Sequence, residues 1–351
     1  MTQGKIGRLG FLGGVRREIT NTIGYSNQGA RVRTTAQQQL DDPIGSALRD
    51  FNHPNTNEGD YGQNFPSIHS WYDLTPDLKV RGSATTGFAR PNLNNAVIGV
   101  SGISLAGTNA NYPDGVLTFG NPALKPTRAK NWDFSLEYYF QPSGSLTVGW
   151  FYKRLDDYIV SGREIGTVET GLDNGFEGQY EGFTILGNAN AGTAFTQGVE
   201  FSYSQQFRFL PGLLKGLRFN ANLTQITAHG DYGVAGAYFR NKYVNGFIPR
   251  TMNASLSWDY KKFSASISYN YTAEHIRGTY NIAQPSRNQF LMARELVNTN
   301  LRYQLRPNLT LNFGVQNLFN EPQRYYRGVA DQLQTFLVNG TTITGGIEGR
   351  F

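Results

Sequence analysis

Apolar and polar residues alternate along several segments of the chain. In FSASISYNY (residues 263–271), apolar and aromatic residues take every second position, and serine or asparagine takes the positions between them. NASLSWDY (253–260), LRFNANLT (217–224) and WDFSLEYYF (132–140) show the same pattern. A period of two is that of a β-strand with unlike faces, whereas an amphipathic helix needs a period of 3.6. The pattern therefore predicts an all-β protein.

Counting such segments predicts about twelve antiparallel strands of roughly ten residues each, the length of a tilted membrane-spanning strand. We place their first residues at Leu9, Ser67, Leu78, Trp132, Ser145, Thr196, Leu217, Arg250, Phe263, Leu296, Leu309 and Thr342.

Short and long connections alternate between these segments. The short ones contain turn-forming residues: TPD (75–77), QPSG (141–144), KK (261–262), RPN (306–308) and the slightly longer RFLPGLLKG (208–216). The connections between these hairpins run to roughly 20 to 40 residues, longer than compact soluble domains usually have. This alternation is typical of an outer-membrane barrel, with short periplasmic turns and long extracellular loops. An even strand number would place both chain ends on the short-turn side.

A soluble all-β protein, such as a sandwich, propeller or solenoid, is the alternative interpretation, because its strands also alternate. Two features favour a membrane barrel. The polar faces carry mainly serine, asparagine, threonine and glycine, which suits a wet lumen. Aromatic residues also collect at the ends of strands that precede short turns, as an interfacial girdle requires. These residues are Tyr138, Tyr139, Phe140, Trp258, Tyr260 and Tyr303.

Composition narrows the choice of class. The 351 residues include 41 Gly, 13% aromatic and only 17% charged residues, a balance that favours an all-β protein with many turns. The chain has no Cys, which excludes disulfides and thiolate metal sites. Its net charge of +6 is scattered and forms no basic stripe, so we expect no nucleic-acid partner. No apolar run reaches the 18 or so residues of a transmembrane helix.

Several segments carry a recognisable family pattern. They are FPSIHSWYDLTPDLKVRGSATTGFARPNL (65–93), FGNPALKPTRAKNWDFSLEYYF (119–140), FTQGVEFSYSQ (195–205), GVQNLFNEP (314–322), and alternating Ile343, Gly345, Ile347 and Gly349 before the terminal Phe351. In this order they resemble the barrel of TonB-dependent receptors, from about residue 10 to the end. The resemblance implies an antiparallel transmembrane β-barrel that has 22 strands when complete. Residues 1–351, with about twelve of these strands, would be one partial barrel domain.

The resemblance also implies a function and partners. Such receptors lie in the bacterial outer membrane, among its lipid, and take up scarce nutrients with energy from the TonB complex, delivered through a plug domain. An iron–siderophore complex is the leading ligand; cobalamin, an oligosaccharide, a passive pore and a purely structural barrel are the alternatives. Phe351 resembles the signal read by the barrel-assembly machinery. Neither a plug nor an export signal is visible, so we expect residues 1–351 alone not to be transport-competent.

We find no catalytic constellation and no metal or cofactor motif, and expect none. The four histidines, His53, His69, His229 and His275, lack metal-ligand spacing. An outer-membrane lipase is the enzyme alternative, with His69 at a lumen-facing position. It would need a serine at matched height on a neighbouring strand and a third group that orients the histidine. Because no such partner motif is visible, we favour the interpretation of His69 as a hydrogen-bonded lumen residue.

Several charged residues also lie at or near the alternate strand positions that should face the lumen. They are Arg81, Arg90, Arg218, Arg302, Glu137, Glu200 and Glu348. In a complete receptor they would contact a plug or line a pore. Alternatively, they pair across neighbouring strands and stabilise the wall.

The long loops hold the candidate ligand surface, because they mix aromatic side chains for stacking with arginines for anion recognition. The predicted ligand-binding residues are Tyr238, Arg240, Tyr243, His275, Arg277, Tyr280, Tyr325, Tyr326 and Arg327.

Overall fold

The computed structural model describes most of the chain. The described residues are 1–28, 34–51, 53–93, 100–108, 112–121, 123–140, 143–174, 176, 178–190, 192–230, 239–244, 246–278, 280 and 284–349. Within them, no helix is long and apolar enough to span a membrane.

β-Strands dominate the described residues. In chain order they are β1 Thr2–Ile6, β2 Leu9–Gln28, β3 His53–Asp73, β4 Leu78–Ala89, β5 Val100–Ser104, β6 Val116–Phe119, β7 Thr127–Phe140, β8 Gly144–Asp156, β9 Ile159–Thr167, β10 Thr184–Asn190, β11 Thr193–Gln206, β12 Leu217–Gly230, β13 Phe239–Arg240, β14 Arg250–Tyr260, β15 Phe263–Thr272, β16 His275–Ile276, β17 Gln289–Leu291, β18 Arg294–Arg306, β19 Leu309–Gln316, β20 Gln323–Arg327, β21 Leu333–Leu337 and β22 Thr342–Gly349. The helices are α1 Ala36–Asp41, α2 Pro43–Asp50 and the 3₁₀ helices Gly212–Gly216, Asn241–Tyr243 and Pro285–Arg287.

One large antiparallel sheet, which we call the wall, runs through the molecule. Its strand order is β1-β2-β3-β4-β7-β8-β11-β12-β14-β15-β18-β19-β22, and β13 pairs with β12 beside this path. The strands of the wall lie in the sheet in the same order as in the chain, as in a meander, and the strands missing from this order belong to the long connections. The wall is not closed, and β1 and β22 form its two edges. The predicted antiparallel all-β architecture is confirmed.

Most predicted strand starts agree with the wall. Leu9, Leu78, Leu217, Arg250, Phe263, Leu309 and Thr342 are the first residues of their strands. β8, β11 and β18 begin slightly earlier than predicted, at Gly144, Thr193 and Arg294.

The predicted start at Ser67 is wrong, because β3 already begins at His53. β2 and β3 have 20 and 21 residues and pair along their full length, from Leu9 opposite Tyr72 to Gln28 opposite His53. The segment HPNTNEGDYGQN (53–64) does not alternate, so its sequence gave no strand signal. The start at Trp132 is also late, since β7 begins at Thr127.

An additional strand, β1, precedes the first predicted one. It pairs with the start of β2, from Thr2 opposite Gly13 to Ile6 opposite Leu9. β1 therefore runs towards the short-turn side, and residue 1 lies partway up the wall. The expectation that both chain ends lie on the short-turn side is wrong for the first residue, because it assumed an even number of strands.

The two faces of the wall differ as the alternation predicts. On one face Phe219, Leu256 and Ile267 lie opposite one another, and Leu256 and Ile267 remain 42% and 45% exposed. On the other face Asn222, Asn253 and Asn270 form a cross-strand row. Directly opposed residues share a face, so each strand presents one apolar and one polar surface. An apolar surface this exposed is what a barrel presents to lipid.

Tight turns join the hairpins on the short-turn side. In the first, Thr75 Oγ1 accepts the backbone N–H of Leu78 at 3.0 Å, which closes the TPD turn. In the KK turn, Tyr260 pairs with Phe263 across two residues, and Lys261 adopts a left-handed φ of 52°. Two-residue hairpin loops need such a φ because it matches the twist of the strands.

The long connections on the opposite side, which we call the outer loops, contain structure of their own. One small sheet has the order β5-β6-β10-β9 and packs around Leu117, Val168, Tyr180 and Phe183. A second, which we call the outer sheet, has the order β16-β17-β20-β21. The helices α1 and α2 lie in the β2–β3 loop. Thr35 and Gln38 form a capping box at the start of α1.

Candidate functional site

The outer sheet combines segments from two outer loops. β16 and β17 come from the β15–β18 connection, and β20 and β21 come from the β19–β22 connection. Ile276, Phe290 and Tyr326 lie opposite one another on one face and form a buried cluster. Strands of two to five residues are too short to be stable alone, so this apolar face holds the sheet together.

A third outer loop packs against this buried face through aromatic rings. The Phe290 and Tyr326 rings stack with centroids 5.1 Å apart. Tyr243, from the β12–β14 connection, meets Phe290 edge-on at 5.8 Å and Tyr280 at 5.5 Å. Edge-to-face contacts at these distances are favourable for aromatic pairs. Three loops that are distant in sequence therefore converge at one point.

Lys242, Glu274 and Tyr326 form a polar network at this point. The Lys242 ammonium donates to a carboxylate oxygen of Glu274, and the Tyr326 hydroxyl donates to the same oxygen at 2.8 Å. Lys242 Nζ also lies 5.5 Å from the centroids of the Tyr243 and Phe290 rings. Burial and the hydrogen bond to Glu274 raise the pKa of Tyr326 to about 12. Partial burial alone would lower the pKa of Lys242, but Glu274 outweighs it and raises that pKa.

The opposite face of the outer sheet carries exposed cations. Gln289 lies opposite Arg327 in the sheet, and the Arg277 backbone N–H donates to the Gln289 carbonyl at 2.8 Å. Arg277, Gln289 and Arg327 thus form a row across three chain segments, which we call the arginine row. The Arg277 guanidinium donates to Gln289 Oε1 at 3.1 Å and lies 4.9 Å from the Tyr325 ring centroid. Two exposed guanidiniums beside an aromatic ring form a surface suited to a planar anion.

The predicted ligand-binding residues divide between these two faces. Arg277 and Arg327 are exposed on the arginine row, and Arg240 is exposed on β13. Tyr243 is 40% exposed, whereas Tyr325 and Tyr326 are 8% and 3% exposed and pack within the sheet. Their ring faces are covered, because adjacent residues of a strand point to opposite sides and both sides here have neighbours.

The remaining predicted residues are half-buried or lie outside the described residues. Tyr280 is half-buried in the aromatic cluster. The half-buried His275 imidazole Nδ1 lies 2.9 Å from the Ala273 carbonyl oxygen. Tyr238 and Phe351 lie outside the described residues. Ligand binding by this set and assembly signalling by Phe351 stay predictions.

Lys242, Glu274 and Gln289 belong to the site but were absent from the predicted set. Lys242 stands within YFRNKY, and Glu274 directly precedes His275, so both lay beside predicted residues. Gln289 carries no charge and no ring, so the sequence alone does not indicate it as a ligand-binding residue. Its position appears only when β17 pairs with β20.

The charged residues on the polar face of the wall mostly pair across strands. Arg81 bonds Glu137 at 2.7 Å, and Arg90 bonds Glu18 at 2.8 Å. The remaining pairs are Arg302–Glu348 at 3.2 Å and Arg218–Asp259 at 3.9 Å. Within the described part of the chain, Glu200 has no cation within 4.0 Å. These pairs include every predicted charge except Glu200, but Arg90–Glu18 and Arg302–Glu348 each reach across an intervening strand. Stabilisation of the wall by these charges stays a prediction.

His69 meets only part of the requirement for a catalytic pair. Ser83 lies opposite His69 on β4, at the matched height that a nucleophile would need. However, the Ser83 hydroxyl donates to Asp133 Oδ2 at 3.0 Å, so its proton does not go to the histidine. Both residues line a concavity of about 710 Å³, whose lining mixes polar side chains with aromatic ones such as Trp71 and Phe151. Among the described residues, no group of His, Cys, Asp and Glu could hold a metal ion.

Comparisons with known proteins agree with this architecture. The sequence profile of the family described as "TonB dependent receptor-like, beta-barrel" matches residues 2–318. No curated protein sequence matches the chain.

Solved structures with a similar fold include several iron receptors. A ferric enterobactin receptor mutant (PfeA) from Pseudomonas aeruginosa in complex with enterobactin has a TM-score of 0.57 at 17% identity, over 84% of this chain and 42% of that one. The FrpB iron transporter from Neisseria meningitidis scores 0.61 at 12% identity, over 99% and 44%. The ferric-catecholate import receptor Fiu from E. coli K12 scores 0.60 at 16%, over 98% and 42%. The chain thus spans less than half the length of these structures.

Proposed function

The chain belongs to the TonB-dependent receptor-like β-barrel family, and from this premise we propose that it forms the wall and ligand-capturing loops of an outer-membrane receptor for an iron–siderophore complex. The observation that carries the proposal is the arginine row, with Arg277 and Arg327 exposed on one face of the outer sheet beside Tyr325. Ferric catecholate chelates carry net negative charge and planar aromatic groups. Guanidiniums bind such anions and stack on planar aromatic groups, and the Tyr325 ring beneath Arg277 helps to hold that guanidinium in place.

Two further features support the proposal. The exposed apolar face of the wall supports a location in the outer-membrane lipid, since a wet lumen and a lipid-facing exterior require unlike faces. The similar structures described above are receptors or transporters of ferric compounds by name. We further propose that uptake by the whole protein is energised by TonB through a plug domain seated against the polar face of the wall.

Ligand binding to the full chain tests the proposal. In detergent micelles, ferric enterobactin should bind and quench tryptophan fluorescence. Arg277→Gln and Arg327→Gln should each weaken binding about tenfold, the loss expected when one charged hydrogen bond is removed. Arg306→Gln is the matched control, because Arg306 is an exposed arginine at the short-turn end of β18 and should have no effect.

Three results would contradict the proposal. Equal affinities for the three variants and the original protein would show that the arginine row does not capture the ligand. Tight binding of cobalamin or a neutral oligosaccharide, without binding of the ferric chelate, would assign a different substrate class. Nutrient flux that does not require TonB in cells would instead indicate a passive pore.

A further inference from the structure

We propose that Lys242, Glu274 and Tyr326 form a clasp that holds three outer loops as one unit and so positions the arginine row for the ligand. Lys242 belongs to the 3₁₀ helix in the β12–β14 connection. Glu274 follows β15, and Tyr326 lies on β20. The positioning role rests on the proposed function, whereas the joining of the loops does not.

The clasp is more than an exposed ion pair. One carboxylate oxygen of Glu274 accepts from both Lys242 and Tyr326, and Lys242 Nζ lies 3.4 Å from the Tyr326 hydroxyl. Exposed ion pairs contribute little to stability, because water and side-chain entropy compete with them. Here the Lys242 and Glu274 side chains are only 35% and 27% exposed, and Tyr326 is 3% exposed. Removing one partner leaves the others partly buried without compensation.

Aromatic rings hold the Lys242 ammonium from another side. Its nitrogen is 5.5 Å from the centroids of both Tyr243 and Phe290, which is within the range of a cation–π contact. Phe290 comes from the same loop as Glu274, so Lys242 is bound to that loop through a charge and through a ring. The two kinds of contact restrict the ammonium to one position.

The clasp and the arginine row lie on opposite faces of the same short strands. Tyr326 is followed by Arg327 on β20, and Phe290 is preceded by Gln289 on β17. Successive residues of a strand point to opposite faces. Contacts that fix Tyr326 and Phe290 therefore also fix the backbone from which Arg327 and Gln289 project.

Amide hydrogen exchange of the full chain tests whether the clasp joins the loops. Lys242→Met, Glu274→Gln and Tyr326→Phe should each speed exchange of the protected amides in residues 239–244 and 289–291 about tenfold, as loss of a charged hydrogen bond predicts. Tyr326→Phe keeps the ring and its packing, so it separates loss of the hydroxyl from loss of the fold. Lys242→Arg keeps the cation and should restore most of the protection.

Two controls make the result specific. Arg302→Met breaks the Arg302–Glu348 pair of the wall and should leave exchange in the outer loops unchanged. The double variant Lys242→Met/Glu274→Gln should exchange no faster than the faster single variant, because both changes open the same clasp. Unchanged exchange in the single variants, or additive effects in the double variant, would overturn the clasp.

Ferric enterobactin affinity separates the clasp from the proposed function. Lys242 and Glu274 do not lie on the arginine row, yet their variants should bind the chelate about tenfold more weakly, as expected when preorganisation is lost. Faster exchange with unchanged affinity would overturn the positioning role. If the original protein fails to bind the chelate, the proposed function fails and exchange alone decides whether the clasp joins the loops.

Discussion

The Trp71 ring lies directly over Gly10 on the polar face of the wall, where the two residues are cross-strand partners. A β-carbon added at Gly10 would lie 2.1 Å from Cε2 of that ring. We expect Gly10→Ala to displace Trp71 and to lower the free energy of unfolding by about 1 to 3 kcal/mol, the usual cost of overpacking. The change should appear as a lower denaturant concentration at the unfolding midpoint and as a shifted wavelength of tryptophan emission.

Gly87 provides the matched control for this prediction. It lies on the same face of the wall in β4, and a β-carbon there meets nothing within 4 Å. Gly87→Ala should be neutral or slightly stabilising, because alanine loses less backbone freedom than glycine. Equal destabilisation by the two changes would show that the contact with Trp71 is not the cause.

Adjacent tyrosines show the limit of residue-level prediction. The motif QRYYR predicted a surface rich in rings and cations; Arg327 is exposed there, whereas Tyr325 and Tyr326 are buried. Tyr325 and Tyr326 point to opposite faces of β20, and each face is covered by side chains from other loops, including Arg277 and Phe290. Burial of this kind depends on contacts between distant segments, so the motif alone could not show that both rings are covered.

At the scale of single elements, the backbone of the two-residue β14–β15 turn leads to a prediction about stability. Lys261 has a left-handed φ of 52°, which is unfavourable for a residue with a β-carbon. Lys261→Gly should therefore raise the free energy of unfolding by about 0.5 to 1 kcal/mol, because glycine adopts this φ without strain. Urea unfolding in detergent would measure the change.

The neighbouring residue separates backbone strain from a general effect of glycine. Lys262 is not among the described residues with a positive φ. Lys262→Gly should consequently destabilise the hairpin by about 0.5 to 1 kcal/mol through added chain entropy. Stabilisation by both changes would instead indicate that removing a lysine charge is the cause.

The wall strands could be predicted from sequence because their faces are unlike. The alternation is unbroken over residues 217–224, 253–260 and 263–271, and the predicted starts Leu217, Arg250 and Phe263 are correct. The outer sheet could not be predicted, since its strands have two to five residues and pair only after distant loops meet. The helices α1 and α2 did have local signals in Thr35 with Gln38 and in Asp42 before Pro43, which are capping patterns.

At the scale of the whole molecule, the edges of the wall limit what residues 1–351 do alone. β1 and β22 each have one unpaired side in the described sheet. An unsatisfied backbone group in lipid costs on the order of several kcal/mol, so in a membrane these two edges must pair with each other or with another chain, and the barrel formed by residues 1–351 alone differs from the complete one. We therefore expect this segment, secreted behind an added signal peptide, to give no TonB-dependent uptake of ferric enterobactin in cells that lack their own receptor. Uptake that requires TonB would contradict this expectation.

The central claim is that the wall presents its apolar face to lipid and its polar face to water. A spin-label scan along β15 measures this directly, and the absence of Cys in the chain allows one label at a time. In reconstituted membranes, labels at Ala265, Ile267 and Tyr269 should collide mainly with oxygen, and labels at Ser264, Ser266 and Ser268 mainly with a water-soluble nickel complex. If the labels at Ser264, Ser266 and Ser268 collided mainly with oxygen instead, or if the two sets of labels did not differ, the apolar face would be a protein core and the chain would not be a membrane wall.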